Sequence, residues 1–210
     1  NAAVGHLSLS SNSSGVGNTA LGFRSLLTNT TGTNNVAIGI NAGGTITTGS
    51  NNIAIGNATN VPTGTSSNQI RLGNTAITYA GIQVAWTVTS DRRLKSNILN
   101  SNLGLGFINK LRPVSYTRLN DEKQSTEYGF ISQEVDELLK EVSPDNTGMI
   151  SVDDEGTYSL RYNDLIAPMV KAIQELSGKL ITESSENENL REENKKLTER
   201  LDKLEQLQNV

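Results

Sequence analysis

The residues best suited to chemistry are a serine and a lysine five positions apart, Ser90 and Lys95. A serine hydroxyl is a weak nucleophile that needs a nearby base. The only histidine of the chain is His6, and a neutral lysine is a known alternative base. A free lysine has a pKa of about 10.4, so lowering it to about 7 by desolvation costs about 4 kcal/mol. By spacing alone, the favoured interpretation is that Ser90 and Asp91 cap a helix, with Lys95 exposed on its first turns.

The composition of the chain argues against several other classes of site. The chain has 210 residues, no cysteine and a formal net charge of −4. These values exclude a disulfide scaffold and a Cys-ligated zinc site, and they argue against nucleic acid as a partner. No apolar run approaches the ~20 residues that a membrane span needs. We therefore expect no cofactor, no metal, no nucleic acid and no membrane span. Because no methionine precedes Asn1, we expect the chain to be part of a longer protein.

Residues 1–89 contain a sequence repeat and almost no charge. Gly, Asn, Thr and Ser occupy 50 of the 89 positions, and the only charged side chains are Arg24 and Arg71. The absence of Asp and Glu excludes a two-carboxylate glycosidase in this segment. A motif with Asn first and Gly last recurs with steps of 17, 17, 17 and 16, and its copies begin at Asn1, Asn18, Asn35, Asn52 and, more loosely, Asn68. Each copy predicts a short strand, a glycine turn and a polar return, stacked on the next copy.

Stacking predicts a parallel β-roll, which is a β-solenoid. We expect it to bury one apolar row, composed of Val4, Leu21, Ile38, Ile55 and Leu72. One row makes a thin core, and two more copies around a threefold axis would thicken it. The motif resembles the Asn-x-Ala-Ile-Gly repeats in the heads of trimeric adhesins, which form parallel β-rolls, and this resemblance covers residues 1–75. The alternative is a disordered linker rich in Asn and Thr.

Residues 90–161 have an ordinary composition and predict a small α+β domain, joined to the repeats by a junction at 76–89. We expect Trp86 in this junction to be an anchor that is buried. The pattern predicts helices over 103–111 and 133–142, strands over 114–119 and 127–131, and a hairpin of strands 150–152 and 157–160. The hairpin turn, Asp153 to Gly156, could bind calcium, but it lacks EF-hand spacing, and a plain acidic turn is the simpler interpretation.

Residues 162–210 predict one long helix with a heptad pattern, which is typical of a coiled coil. Pro168 could lie in its first turn or kink the helix. Asn187 and Asn194 at a positions are expected to fix the register. The apolar a and d positions form the predicted seam of the coiled coil, composed of Ile166, Met169, Ile173, Leu176, Leu180, Leu190, Leu197, Leu201 and Leu204.

Four segments carry a second resemblance. They are Ser90 to Ile98 (SDRRLKSNI), Leu111 to Val114 (LRPV), Tyr128 to Val135 (YGFISQEV) and Tyr162 to Leu176. In this order, over residues 86–180, they resemble the C-terminal intramolecular chaperone of phage endosialidases and tail fibres, a self-cleaving peptidase family. In that family a trimeric chaperone domain assembles a fibre. It then cuts itself off immediately before a serine, assisted by a lysine five residues later.

The resemblance implies that Ser90 and Lys95 are the catalytic pair and that the scissile bond is Thr89–Ser90. Asp91 is a supporting candidate that would orient the turn or Lys95. Ser90 could attack the carbonyl of Thr89 in its own chain or a bond of a neighbouring chain, and the sequence leaves both mechanisms open.

We thus expect a mixed fold with a trimeric β-roll (1–75), a junction (76–89), an α+β chaperone and peptidase domain (90–161) and a trimeric coiled coil (162–210). The expected function is an intramolecular chaperone that trimerises and folds an attached client β-structure, then releases itself by autoproteolysis. Its expected location is a virion tail fibre or spike, or a bacterial cell-surface fibre. The alternatives are a non-cleaving structural trimeric fibre tip and an adhesin that binds a glycan or a host-surface receptor.

Overall fold

The computed structural model describes residues 1–142 and 148–208. They contain nine short strands, three α-helices and two 3-10 helices. The chain divides into two compact units, each built from several segments. The first unit comprises residues 1–90, 113–133 and 150–160, and the second comprises 91–112, 134–149 and 161–210.

The repeats form a β-solenoid, as predicted, and do not form a disordered linker. The five strands are parallel, and each pairs in register with the strand of the next coil. The register pairs Ile53 with Ile70, so Gln69 takes the place of the motif asparagine in the fifth coil. The spacing from Asn52 to Asn68 is 16, but the structural period is 17 throughout, as in the predicted row that ends with Ile55 and Leu72. The strands are β1 (Ala2–Val4), β2 (Thr19–Leu21), β3 (Val36–Ile38), β4 (Ile53–Ile55) and β5 (Ile70–Leu72).

The row of side chains that faces into the solenoid differs from the predicted row. The predicted row is exposed, with Ile38 and Ile55 each 38% accessible and Val4 62% accessible. Side chains alternate across a strand, and it is the central alanine that points inward, with both flanking residues outside. Ala20, Ala37 and Ala54 are buried and leave room for larger side chains from the return of each coil, Leu9, Leu26, Ile46 and Val61.

A ladder of buried asparagines connects successive coils. The side-chain oxygen of Asn18 accepts a hydrogen bond from the backbone N–H of Asn35 at 2.9 Å. Asn35 accepts from Asn52 in the same way, and Asn52 accepts from Gln69, both at 2.9 Å. The side-chain amide of Asn35 in turn donates to the carbonyl of Gly49 at 2.8 Å. Each rung thus satisfies backbone groups that water cannot reach, which is why a polar residue occupies this buried position.

The turn after each strand requires glycine. Gly22 and Gly39 have φ values of +133° and +129°, where residues with a side chain are strained. A Cβ at Gly22 would also lie 2.4 Å from the carbonyl oxygen of Gly39 in the next coil. The glycine therefore permits both the turn and the close stacking of the coils.

The first unit also contains two antiparallel hairpins from the C-terminal part of the chain. One pairs β6 (Val114–Tyr116) with β7 (Glu127–Gly129), and the other pairs β8 (Ile150–Val152) with β9 (Tyr158–Leu160). Both hairpins were predicted; β8 has the predicted bounds, and the other three strands are shorter than predicted. Residues 76–89 have no regular strand or helix, and Trp86 is 75% exposed. The expected burial of Trp86 is therefore wrong for the single chain.

The second unit is helical. Its 3-10 helices span Arg92–Leu94 and Tyr162–Leu165, and α1 (Leu105–Ile108) is shorter than the predicted helix. Helix α2 spans Ser132–Val142, of which residues 134–142 lie in this unit, and α3 spans the 43 residues Ile166–Gln208. Pro168 is the third residue of α3, which places it in the first turn, where the missing N–H costs little.

The hydrogen bonds of the ladder are expected to dominate the stability of the solenoid. Replacing Asn35 by Ala leaves the N–H of Asn52 and the carbonyl of Gly49 buried without these partners, at 1–3 kcal/mol for each group. We expect Asn35→Ala to lower the free energy of unfolding by about 3 kcal/mol, measured by urea denaturation with far-UV circular dichroism. Asn57→Ala, at an exposed position, is the control and is expected to change it by less than about 0.5 kcal/mol. Equal effects of the two variants would show that the ladder contributes little.

Candidate functional site

Ser90 ends an exposed segment of the first unit. Every residue from Ala80 to Ser90 is exposed. Four apolar side chains alternate with other residues just before the predicted scissile bond, and they are Ile82, Val84, Trp86 and Val88, each more than half accessible. The peptide bond between Thr89 and Ser90 therefore lies in a segment that is irregular and open to water, and a nucleophile or a second chain can reach it.

Asp91 begins the second unit and caps the 3-10 helix that follows it. Its side chain accepts a hydrogen bond from the backbone N–H of Arg93 at 2.8 Å. The guanidinium of Arg93 also holds the same carboxylate in a fork, with Nη2 2.6 Å from Oδ2. The side chain of Arg93 is the main cause that lowers the pKa of Asp91 below its ordinary value. Asp91 is thus ionised at neutral pH and orients the turn, which is one of the two roles proposed for it from the sequence.

Lys95 follows this turn immediately. Its backbone N–H donates to the carbonyl of Arg92 at 3.1 Å and closes the 3-10 helix, after which the chain is extended (φ −123°, ψ 140°). The residue is exposed in the single chain. Ser90 belongs to the first compact unit and Lys95 to the second. The structure thus assigns Asp91 and Arg93 to one local cluster, while the roles of Ser90 and Lys95 stay predictions.

Helix α1, ten residues after Lys95, is held by a carboxylate of the long helix. Glu175 of α3 accepts a hydrogen bond from the backbone N–H of Leu105 at 2.7 Å. This bond is the main cause that lowers the pKa of Glu175, and Lys171, 3.4 Å away, lowers it further. A side chain at Gly104 would collide with this carboxylate, since its Cβ would lie 2.5 Å from Oε2. This contact was not predictable from the sequence, because it joins residues 70 positions apart.

A second ion pair joins two of the motifs that carry the resemblance. Arg112, in the segment Leu111 to Val114, forms a forked pair with Glu134 of α2, with Nε 3.0 Å from Oε2. The Arg112 side chain lowers the pKa of the Glu134 carboxyl. In the sequence Glu134 looked like an ordinary residue of a helix surface. The only indication of the ion pair in the sequence was that Arg112 and Glu134 each lie in a motif that carries the resemblance.

In its first turns, α3 has one face that is buried within the unit and another that is exposed. Leu165, just before α3, and Pro168 and Ala172 within it are buried in the unit, and α1 packs against α3. The apolar residues of the predicted seam lie on another face and are exposed, from Met169 at 44% to Ile173 at 66%. The contacts within the chain therefore leave the predicted seam open along its whole described length.

The remaining candidates from the sequence have structural roles. Asp153 accepts hydrogen bonds from the N–H groups of Glu155 and Thr157, at 3.0 and 2.7 Å, which makes an acidic turn. His6 stacks on Phe23 in the next coil, with ring centroids 5.6 Å apart. Among the residues that the structure describes, no group of three His, Asp or Glu side chains could hold a metal ion. No described helix is long and apolar enough to cross a membrane.

Comparison with known proteins identifies the segment that begins at Ser90. Residues 90–143 match the model of a peptidase family, S74, described as the chaperone of endosialidase. The match starts at the residue that follows the predicted scissile bond and includes Asp91, Lys95, Arg112 and Glu134. No curated protein matches the chain. The match supports a role as an intramolecular chaperone and agrees with the resemblance noted in the sequence.

Helix α1 is expected to depend on the charge of Glu175. Because the pKa of Glu175 is lowered in the folded chain, its contribution is complete above the ordinary value of 4.5 and is lost as the pH falls through the lowered value. We expect Glu175→Ala to accelerate amide hydrogen exchange at Phe107 and Ile108 several-fold at pH 7. In the wild type, protection should fall at acidic pH, and in the variant this pH dependence should disappear.

Glu192→Gln, at an exposed position of α3, is the matched control and should leave the exchange of α1 unchanged. Equal protection of α1 in wild type and Glu175→Ala across the whole pH range would show that Glu175 does not hold the helix.

Proposed function

We propose that this protein is a trimeric intramolecular chaperone that folds the attached β-solenoid and then cuts the bond between Thr89 and Ser90. The observation that carries the proposal is the family match, which begins at Ser90 and continues through Lys95 and the Arg112–Glu134 pair. The same match favours a phage tail fibre or spike as the setting of the protein.

Trimerisation is supported by exposed apolar surface in both parts of the chain. The seam residues of α3 form an exposed apolar stripe with heptad spacing over about six heptads. Such a stripe is stable when other helices cover it. The solenoid has its own exposed row, which includes Leu21, Ile38 and Ile55. Three parallel chains would cover the apolar stripe of α3 and the exposed row of the solenoid. A homotrimer is therefore our proposed assembly.

The solenoid is a client that has difficulty starting to fold alone. Each coil closes its hydrogen bonds with the next coil, 17 residues away, and such non-local pairing forms slowly. Its corners also hold side chains in the left-handed region, for example Leu26 at φ 50° and Arg24 at φ 55°, which costs about 1–2 kcal/mol per residue. A single coil cannot recover this cost, while a stack can. A coiled coil that holds three chains in register would raise the effective concentration of the first stack.

The proposed cleavage is an acyl transfer to a hydroxyl followed by hydrolysis. The Oγ of Ser90 forms a bond with the carbonyl carbon of Thr89, while Lys95 takes the hydroxyl proton. The C–N bond then breaks, and the leaving nitrogen accepts that proton to become the amine of Ser90. Water next attacks the resulting ester and restores the hydroxyl, so the products are a carboxylate at Thr89 and a new N-terminus at Ser90. Attack on the neighbouring chain's bond gives the same products.

The exposure of Lys95 in the single chain provides a way to regulate the cleavage reaction. A lysine acts as a base only when its surroundings favour the neutral form, and burial is the usual cause. Lys95 is in contact with water in the single chain. In our proposal, trimer assembly supplies the desolvation, so that only correctly assembled chains cut themselves. A non-cleaving fibre tip has the same architecture and is the alternative that the cleavage experiment addresses.

The trimer and the chaperone role can be tested together. In the Ser90→Ala chain, which should stay intact, sedimentation equilibrium is expected to give the mass of three chains. Adding Leu176→Asp and Leu180→Asp places charges in the seam and should yield monomers or aggregates in which residues 1–89 are sensitive to protease. Gln174→Asp adds one such charge on another face of α3 and should leave the trimer and its solenoid intact. A monomeric or dimeric parent chain, or a seam variant with a protected solenoid, contradicts the proposal.

Cleavage itself depends on the two proposed catalytic groups. Ser90→Ala and Lys95→Ala should each slow cleavage about 1000-fold or more, because nucleophile and base act as one unit. Lys95→Arg should be equally slow, since a guanidinium stays protonated at neutral pH. A gel time course on freshly assembled trimers, with fragments identified by mass, gives the rate and the position of the cut.

Lys110→Ala, an exposed lysine of the same unit, is the control and should cut at the normal rate. Normal cutting by the Lys95→Ala trimer would remove Lys95 from the mechanism. Normal cutting by the Ser90→Ala trimer would point to another protease.

A further inference from the structure

The two hairpins of the C-terminal part are packed into the unit of the solenoid. Residues 113–133 and 150–160 follow the proposed cut in sequence, yet they form one compact unit with residues 1–90. We propose that the C-terminal fragment stays bound to the solenoid through these hairpins after the chain has been cut. The proposal rests on the proposed cleavage and changes its consequence, because cutting the backbone is then not sufficient for release.

The first contact is a two-point clamp between the β8–β9 turn and the loop that precedes β5. The backbone N–H of Asp154 donates to the carbonyl of Pro62 at 2.8 Å. The Asp154 carboxylate accepts from the backbone N–H of Gly64, also at 2.8 Å. Gly64 and its neighbour Val61 are buried, so this loop is a fixed part of the last coils and not a mobile arm. A hydrogen bond to a charged acceptor is among the stronger ones in proteins.

The second contact lies on the other side of β5 in the sequence. The side-chain amide of Asn120, in the turn of the β6–β7 hairpin, donates to the carbonyl of Thr75. Strand β5 is the last strand of the solenoid sheet, so one of its edges lacks a partner strand in that sheet. Terminal coils of solenoids need a polar cap for this reason. The two hairpins hold the chain on both sides of β5 and act as that cap.

The repeat itself changes at the coil that the hairpins touch. Arg71 stands in register with Ala54, at the position where the preceding coils place a buried alanine. Arg71 lines a cavity together with Asp153, Asp154 and Glu155 of the β8–β9 turn. Residues 1–89 carry only arginines as charged groups, so every acidic residue of the chain follows the proposed cut. Residues of opposite charge thus line the same cavity between solenoid and hairpin, which favours their association.

The test uses an engineered cut, so that it does not depend on self-cleavage. A recognition sequence for a site-specific protease is inserted between Val88 and Thr89 of the full Ser90→Ala chain. After folding, the chain is immobilised by its C-terminus and cut, and the release of the N-terminal fragment into buffer is followed over time. We expect the fragment to stay bound through extensive washing. Its complete release within the time of the cutting reaction would overturn the proposal.

Variants identify the contacts that hold the fragment. Asp154→Ala removes the acceptor for Gly64 and should accelerate release about 10- to 100-fold, while Asp154→Asn keeps a neutral acceptor and should have a smaller effect. Asn120→Ala should also accelerate release, and the double variant should exceed either single variant. Asp202→Ala, an exposed carboxylate of α3, is the matched control, and circular dichroism of the uncut chains checks their folding. Unchanged release in the double variant would overturn the assignment of these contacts.

If the engineered cut leaves the fragments bound while the wild-type chain never cuts itself, docking holds and the proposed autoproteolysis fails. If the wild type cuts itself and separates at once, autoproteolysis holds and docking fails. The two proposals therefore have distinguishable outcomes.

Discussion

The stacking of one 17-residue coil on the next is the interaction on which the rest of this structure depends. Within a coil, the strand has three residues, and its backbone groups find their partners in neighbouring coils. The asparagine ladder follows the same rule, since each side chain satisfies the backbone of the following coil. The glycine turns do as well, because each must leave room for the coil above it. Each coil therefore needs a neighbour on both sides, and the first and last coils of the stack each lack one.

The need to end the stack explains features that the repeat does not. The last coil replaces the asparagine by Gln69 and the inward alanine by Arg71, and it is here that segments from the far part of the chain make contact. In a longer array another coil would occupy this place. The hairpins bind the chain just before and just after β5, at Pro62 and Gly64 and at Thr75, which is next to the strand where further pairing or aggregation would begin.

Periodic features were predictable from the sequence, and non-periodic contacts were not. The 17-residue step predicted the solenoid, and the heptads predicted a long helix that the structure contains as α3. The row that faces inward was assigned wrongly, because alternation along a three-residue strand does not say which side is inside. Alanine was the correct choice, since Leu26 and Ile46 from the return of the coil already fill the interior. The expected burial of Trp86 failed because none of the described residues of the single chain covers its side chain.

At the candidate site, local geometry could be predicted and long-range support could not. The pattern Ser-Asp at a helix start indicated a cap, and Asp91 caps the 3-10 helix before Lys95. Glu175 and Asp154 gave no such signal, since their partners lie 70 and 90 residues away and are backbone N–H groups, which every residue except proline has. These two carboxylates nevertheless connect the parts of the chain that the proposed function requires to act together. Glu175 ties the long helix to the segment that follows Lys95, and Asp154 ties the C-terminal part to the last coils of the solenoid. In the proposed mechanism, Lys95 must be desolvated before it can act as a base. The contacts of Glu175 and Asp154 would then link this desolvation to assembly of the trimer, although neither Ser90 nor Lys95 takes part in them.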